Sequence, residues 1–396
     1  MRPQQFDNIC REIQPATIGK GRAAMPVPTS TVSWNKTRGV LTCLLTAVSL
    51  AACTPAPLIK YSTETPPLML APASAVGVTD QRARFREIFC AATDAHGEQF
   101  EDHRPCDEAL VRLGDEPEPT GRPVDLGRAR FRLTFALVPG LGWNCFEDFI
   151  LPTEDTTTAH VEALGYQFTQ INVDPLSSST HNASQIRDAL LAMTDRQDGE
   201  KLVLIGYSKG VPDILETLVL YPEIVDRVAA VVGVAGAVGG SPLADDASDS
   251  LLDTFSSLLG DDCPVGDGGA IESLRTSTRM DWLAQHKLPD AVKYYSVITF
   301  PDRDHVSRGL VSSYDKLSQV DPRNDTQVIF YGQMIPGSTL LGYLQADHWA
   351  VVLPIDRSHE TLAKAFFNKN DFPREILTET IMRYVEEDLR QAEQGM

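Results

Sequence analysis

The stretch Lys201-Leu-Val-Leu-Ile-Gly206-Tyr207-Ser208-Lys209-Gly210 constrains the fold of this chain more than any other. Apolar residues 202–205 run into a serine bracketed by glycines, and apolar side chains then recur at Val211, Ile214, Leu215 and Leu218. That spacing predicts a buried strand, a sharp turn and a helix. In such a turn a serine is held under backbone strain at the end of a sheet, and Gly206 and Gly210 supply room that a Cβ would fill. The helix N-terminus behind it contributes positive partial charge and N–H groups without helical partners. Ser208 is therefore a candidate nucleophile.

The chain has 396 residues, 42% of them hydrophobic, enough to bury a sizeable core. Its formal net charge of −19, with no basic stripe, argues against nucleic acid as a partner. The acidity reads as a solvated surface. No Gly-x-Gly-x-x-Gly, Cys-x-x-Cys or His-Glu-x-x-His spacing occurs, so the motifs point to no dinucleotide, no cofactor and no metal site.

Near the N-terminus, Lys36 and Arg38 precede an apolar run from Val40 to Ala52, followed by Cys53. The run is too short to cross a bilayer and suits a secretory signal. Residues before about 34 read as surplus, and Met25 is an alternative start. Leu50-Ala51-Ala52-Cys53 resembles the bacterial lipobox, which implies that Cys53 is lipidated and begins the mature chain. Thr54, where aspartate would retain a protein at the inner membrane, implies by resemblance to Gram-negative lipoproteins an anchor in the outer membrane. The alternative is an ordinary signal peptide with Cys53 incidental.

The expected organisation is a surplus N-terminus and signal over 1–52, and a lipidated cysteine with a Pro-, Ala-, Ser- and Thr-rich tether over 53–78. A small helical segment with a disulfide follows over 79–128, then the main domain over 129–396, within which 241–290 is a possible cap. An exported chain meets an oxidising compartment, so Cys90, Cys106, Cys145 and Cys263 are read as pairs. Cys90–Cys106 is favoured because it closes a short loop around Asp94-Ala-His-Gly97, leaving Cys145 and Cys263 to bridge or stay free. Buried thiols are the alternative.

From Arg130 onward, strand and helix patterns alternate, which predicts a mostly parallel sheet covered on both faces. Strands are expected over 131–138, 164–173, 227–234 and 293–300, with shorter apolar runs at 327–331 and 340–344. Asn182 or Ser184 is expected to cap a helix reaching about Met193. Directly after the first of these strands comes Val138-Pro139-Gly140-Leu141-Gly142-Trp143. Its glycines let backbone approach a ligand, so the amides of Leu141 and Lys209 are candidate oxyanion donors.

Serine attack needs a base, and the chain offers eight histidines. His348 follows the last short strand in Ala346-Asp347-His348-Trp349, where the order serine, acid, histidine would place a base. The acid must lie between Ser208 and His348. Local position favours Asp302 or Asp304, directly after a strand; Asp325 lies further on in Pro322-Arg-Asn-Asp325-Thr, and Asp347 adjoins His348 too closely to reach its ring well.

Together with Val234-Ala-Gly-Ala-Val-Gly-Gly-Ser241-Pro, Tyr294-Tyr295 and Asn324-Asp325, these residues resemble the α/β-hydrolase superfamily, and within it bacterial triacylglycerol lipases and related serine esterases. The likeness covers about Arg130 to the C-terminus. It implies a mostly parallel central sheet with helices on both faces, no cofactor, and cleavage of a small ester or lipid by Ser208, Asp325 and His348 through an acyl-enzyme. In those lipases the acid lies in Asn-Asp-Gly well beyond a Tyr-Tyr-Ser strand, the place held here by Asn324-Asp325. Thr326 stands where glycine is usual, and Pro139 where many lipases have histidine. Other readings are a non-catalytic hydrolase-fold lipoprotein that binds a hydrophobic ligand or envelope partner, a thioesterase and an acyltransferase. The 241–290 stretch would line an acyl pocket as a cap or form a surface excursion stapled at Cys263. Trp143 and Trp349 would wall that pocket or serve the core.

Overall fold

Seven parallel strands form one sheet in the order β1-β7-β6-β5-β4-β2-β3. They are β1 (Thr79–Asp80), β2 (Leu133–Val138), β3 (Gln167–Gln170), β4 (Lys201–Tyr207), β5 (Val228–Val234), β6 (Lys293–Thr299) and β7 (Thr339–Leu344). The longer helices are α1 (Arg82–His96), α2 (Thr156–Ala163), α3 (Ser179–Met193), α4 (Gly210–Leu220), α5 (Thr276–Gln285) and α6 (Arg374–Gln394). This computed structural model describes residues 77–145, 155–193, 201–247 and 266–395. The signal, Cys53, nearly all of the expected tether, Cys263 and the middle of the 241–290 stretch lie outside them.

Alternation along each strand divides the core into two layers, because successive side chains leave a strand on opposite faces. On one face Phe135, Val203, Ile205, Val232, Val297 and Leu341 pack with Phe85, Ile88 and Phe89 of α1 and Ile381, Met382 and Val385 of α6. On the other, Ala136, Leu202, Leu204 and Val231 pack with Ile186 and Leu190 of α3 and Ile214, Leu215 and Leu218 of α4. The central strand β5, Val-Ala-Ala-Val-Val-Gly-Val, is buried at every residue, as a parallel strand covered on both faces requires.

The chain builds outward from β2 to β3, then returns to the other side of β2 for β4, so β2 and β4 form a topological switch point. Their register aligns Val138 with Gly206, which brings the carboxyl ends of the two strands side by side. Crevices outside such ends are where open parallel sheets bind ligands.

Several boundaries differ from the expected ones. The 79–128 segment joins the sheet and its covering layer: β1 pairs with β7, and Phe85 of α1 lies 6.3 Å from the Tyr384 ring of α6. Val78 is already buried, so the expected tether cannot extend to it. Helix α3 starts at Ser179, where the Ser178 hydroxyl accepts the His181 N–H, while Asn182 turns inward to Asp213. Residues 327–331 form no strand; the Val328 N–H is taken by the Asp325 carboxylate and the Phe330 N–H by the Arg323 carbonyl, which folds this backbone into a local turn. Cys90 and Cys106 form a disulfide, and Cys145 is disulfide-bonded too.

The described parts of 241–290 are held to the body. Arg279 of α5 is buried, pairs with Glu216 of α4 at 2.7 Å and donates to the Val238 carbonyl at 3.1 Å.

Candidate active site

Ser208 follows β4 with φ of 54°, in the left-handed region, and its N–H donates to the Val234 carbonyl at 3.2 Å. Non-glycine residues rarely adopt this conformation, and the surrounding packing enforces it here. A Cβ at Gly206 would lie 2.8 Å from the Cα of Val211, and one at Gly210 would lie 2.1 Å from the Val138 carbonyl oxygen. Both glycines are therefore steric requirements of the bend.

The same tightness joins the bend to the turn after β2. A Cβ at Gly140 would meet the Ser208 Cβ at 2.8 Å, so the Pro139–Gly142 backbone lies directly against the serine. There the Gly142 N–H donates to Pro175 and the Trp143 N–H to Gly140. The N–H groups of Leu141 and Lys209 have no acceptor among the described residues. Among the described residues these two donors are thus unclaimed, one on the turn that lies against Ser208 and one on the residue that follows it.

The Lys209 side chain is turned away from them, into the body. It is buried against Asp213, one turn further along α4, at 2.7 and 2.9 Å, and Asn182 also donates to Asp213. The i, i+4 spacing of Lys209 and Asp213 is the local sequence signature of this pair.

His348 Nε2 lies 2.9 Å from Ser208 Oγ, and His348 Nδ1 lies 2.7 Å from Asp325 Oδ2. The structure thus brings together the serine, the histidine and one of the candidate acids. The others lie elsewhere. Asp302 accepts from Gln345 at 2.9 Å, and Asp304 lies exposed in the short 3-10 helix Arg303–His305 after β6. Asp347 accepts backbone N–H groups of Ser307, Trp349 and Ala350. Burial raises the Asp347 carboxyl above its ordinary range, and those N–H groups oppose the rise.

Asp325 is fully buried and held at both oxygens. Its Oδ1 accepts the N–H groups of Gln327 and Val328 at 2.9 and 2.7 Å, and its Oδ2 accepts Thr299 Oγ1 at 2.8 Å and Gln333 Nε2 at 3.3 Å. The His348 N–H donates to the Asp325 carbonyl, and the Tyr207 hydroxyl donates to the His348 carbonyl at 2.6 Å. Burial, then the carboxylates of Asp325 and Asp347, push the Tyr207 phenol well above its usual value, so it remains a donor. Sequence reading missed Thr299, Gln333 and Tyr207 as supports. Thr299 ends β6 and Tyr207 ends β4, positions that point at such a site; Gln333 carries no local signal.

Thr326 adopts φ of 85°, and its buried hydroxyl has no partner among the described residues. A β-branched residue there is strained by about 1–3 kcal/mol. Thr326→Gly should raise stability by about 1 kcal/mol after the glycine's unfolded-state entropy is charged, or roughly 2–4 °C in thermal midpoint. A midpoint that stays or falls would show that the turn carries no such strain.

Trp143 packs edge-on against Tyr207, with ring centroids 6.2 Å apart, and belongs to the core layer. Trp349 stacks on Phe367 at 5.0 Å. Leu141, by contrast, is exposed beside the serine.

No protein-family model and no curated protein matches the chain. Among solved structures, the metagenomic carboxyl esterase MGS0156 is 41% identical, with a TM-score of 0.77 over 82% of this chain and 97% of that one. The lipase of Staphylococcus hyicus shares the fold, with 12% identity and a TM-score of 0.51 over 71% of this chain and 100% of that one. The chain belongs to the α/β-hydrolase superfamily, among its carboxyl esterases. This kinship supports ester hydrolase activity.

Proposed function

We propose that the protein is a serine carboxylic-ester hydrolase. His348, oriented by Asp325, takes the proton of Ser208 as its Oγ attacks the ester carbonyl carbon. The developing oxyanion is received by the Leu141 and Lys209 amides. The imidazolium then protonates the departing alcohol, leaving an acyl group on Ser208. Water, deprotonated by the same imidazole, attacks that acyl carbon and frees the acid and the serine. The observation that carries this reading is the unbroken hydrogen-bond line from Ser208 Oγ through His348 to Asp325, together with two nearby amides that have no acceptor among the described residues. A small ester or a lipid is the substrate, consistent with the carboxyl esterase likeness.

A fluorophosphonate probe tests the reading directly. The expected result is one phosphonylated residue, Ser208 by peptide mass spectrometry, with parallel loss of p-nitrophenyl ester hydrolysis. Folded protein that stays unlabelled would favour a non-catalytic binder on the same scaffold.

We further propose that the protein is exported and anchored at the cell envelope through acyl chains on Cys53. The disulfide at Cys90–Cys106 supports an oxidising compartment. Several acyl chains on one cysteine give stable anchoring that one chain does not. Expressed in a Gram-negative host, the protein should take up labelled palmitate and sediment with membranes, and Cys53→Ala should do neither. A membrane-bound Cys53→Ala form would rule the anchor out.

A further inference from the structure

Outside the residues just described, three ligating side chains from distant parts of the chain meet at one point. His96 ends α1, His160 lies in α2 and Glu379 lies in α6. His160 Nε2 is 2.7 Å from Glu379 Oε2, and His96 Nδ1 is 3.0 Å from the same oxygen and 3.1 Å from Oε1. All three donor atoms lie within 4.8 Å of one another. We propose that His96, His160 and Glu379 form a binding site for a divalent transition-metal ion of the zinc class, with water as the fourth ligand.

The donor set selects the metal. Two imidazoles and one carboxylate are borderline ligands suited to Zn²⁺, whereas Ca²⁺ and Mg²⁺ take oxygen ligands. A tetrahedral zinc with bonds of about 2.0–2.1 Å sets its ligand atoms about 3.3 Å apart. The nitrogen–oxygen separations of 2.7 and 3.0 Å need to open by about 0.3–0.6 Å, and the two imidazole nitrogens, within 4.8 Å of each other, need to settle at the same spacing. The carboxylate is fully buried and the His160 side chain nearly so, while the His96 side chain is 25% exposed. His96 is therefore the ligand that adjusts, and its side of the site is where water enters.

The surroundings hold the carboxylate as a ligand needs to be held. Arg383 Nε donates to Glu379 Oε1 at 2.6 Å, and the rest of the guanidinium is pinned by the carbonyls of Asp125, Leu126 and Gly127 at 2.9, 3.0 and 2.9 Å. Oε2 is left facing the two imidazoles. Ligating carboxylates commonly carry such an outer hydrogen bond, which fixes their orientation. The Phe100 ring stands edge-on to His160 at 4.9 Å, and the Cys90–Cys106 disulfide spans the segment containing both His96 and Phe100. The ligands come from elements 219 and 283 residues apart, so an ion here would clamp α1 and α2 onto α6. No local spacing announces such a site, because each element supplies one ligand.

The test uses the full chain, stripped with chelator and dialysed. Calorimetry should show one Zn²⁺ per chain, and saturating Zn²⁺ should raise the thermal midpoint by about 5 °C. Co²⁺ should give the visible absorption of a tetrahedral nitrogen–oxygen site, and Mg²⁺ should shift nothing. His96→Ala should weaken Zn²⁺ binding at least about tenfold and abolish the midpoint shift, while ester hydrolysis is unchanged. His181→Ala, which removes a histidine whose ring pairs with Asp174 and reaches Gln185 of its own helix, should behave as the parent. Should His160→Ala fail to fold, His96→Ala at the partly open edge decides alone. Parent protein without saturable Zn²⁺ binding, or His96→Ala with parental affinity and shift, would overturn the proposal.

Discussion

Ser208→Ala should lower kcat/KM for ester hydrolysis by about 10⁴–10⁶, or about 5–8 kcal/mol of transition-state stabilisation, with the thermal midpoint retained. The removed atom is the one proposed to form the bond, and its neighbours are already fixed by the fold. Gly140, Gly206 and Gly210 crowd the backbone around Ser208 whichever side chain it carries, so alanine inherits the bend. Residues that act as a unit are not additive, so adding His348→Ala to Ser208→Ala should cost little more. Asp325→Asn should cost about 10⁴, because an amide at the Oδ2 position favours the tautomer with the proton on the wrong nitrogen. Asp302→Asn should leave the rate near parental, since Asp302 pairs with Gln345. A Ser208→Ala protein with parental kcat/KM would end the proposed mechanism, and a dead Asp302→Asn beside an active Asp325→Asn would relocate the acid.

Gly210→Ala should act on fold and chemistry together. Its Cβ would lie 2.1 Å from the Val138 carbonyl oxygen and 2.7 Å from that of Pro139, both backbone atoms of the neighbouring strand and turn. No rotamer relieves a contact with backbone, so β2 and β4 must part at the switch point. Overpacking of this kind costs about 3 kcal/mol or more. The fraction that folds should still be impaired, because moving the Leu141 amide by about 1 Å from its productive position costs roughly 10² in rate. Gly332→Ala is the internal control: its nearest contact would be Val328 Cγ1 at 3.6 Å, ordinary van der Waals separation. Chemical denaturation with ester kinetics on the soluble fraction would check both. Gly210→Ala with parental stability and rate would mean that the close approach of the bend to β2 is not required.

These two variants also mark what local pattern can disclose. The steric need behind Gly206 and Gly210 was readable because it arises within one strand–turn–helix, where apolar spacing reports the elements directly. The Pro139–Gly142 turn was readable for the same reason, since it follows a strand of period-two and buried character. Ser208 and His348 could be named from their places after strands, and the Cys90–Cys106 pairing from its short loop.

Other features were out of reach of such patterns. Local position favours Asp302 or Asp304, and only the family likeness of Asn324-Asp325 points to Asp325; the packing of Thr299 and Gln333 around Asp325 is what holds it at His348 Nδ1. Nothing local in 79–128 reveals that β1 extends the sheet beside β7. The meeting of His96, His160 and Glu379 has no periodic trace either. Hydrophobic period and turn chemistry are set by neighbours along the chain, so they survive in the order of residues. Which carboxylate faces which imidazole is set by the registers of β4, β6 and β7 and by helices that close over them, and that exists only once the chain has packed.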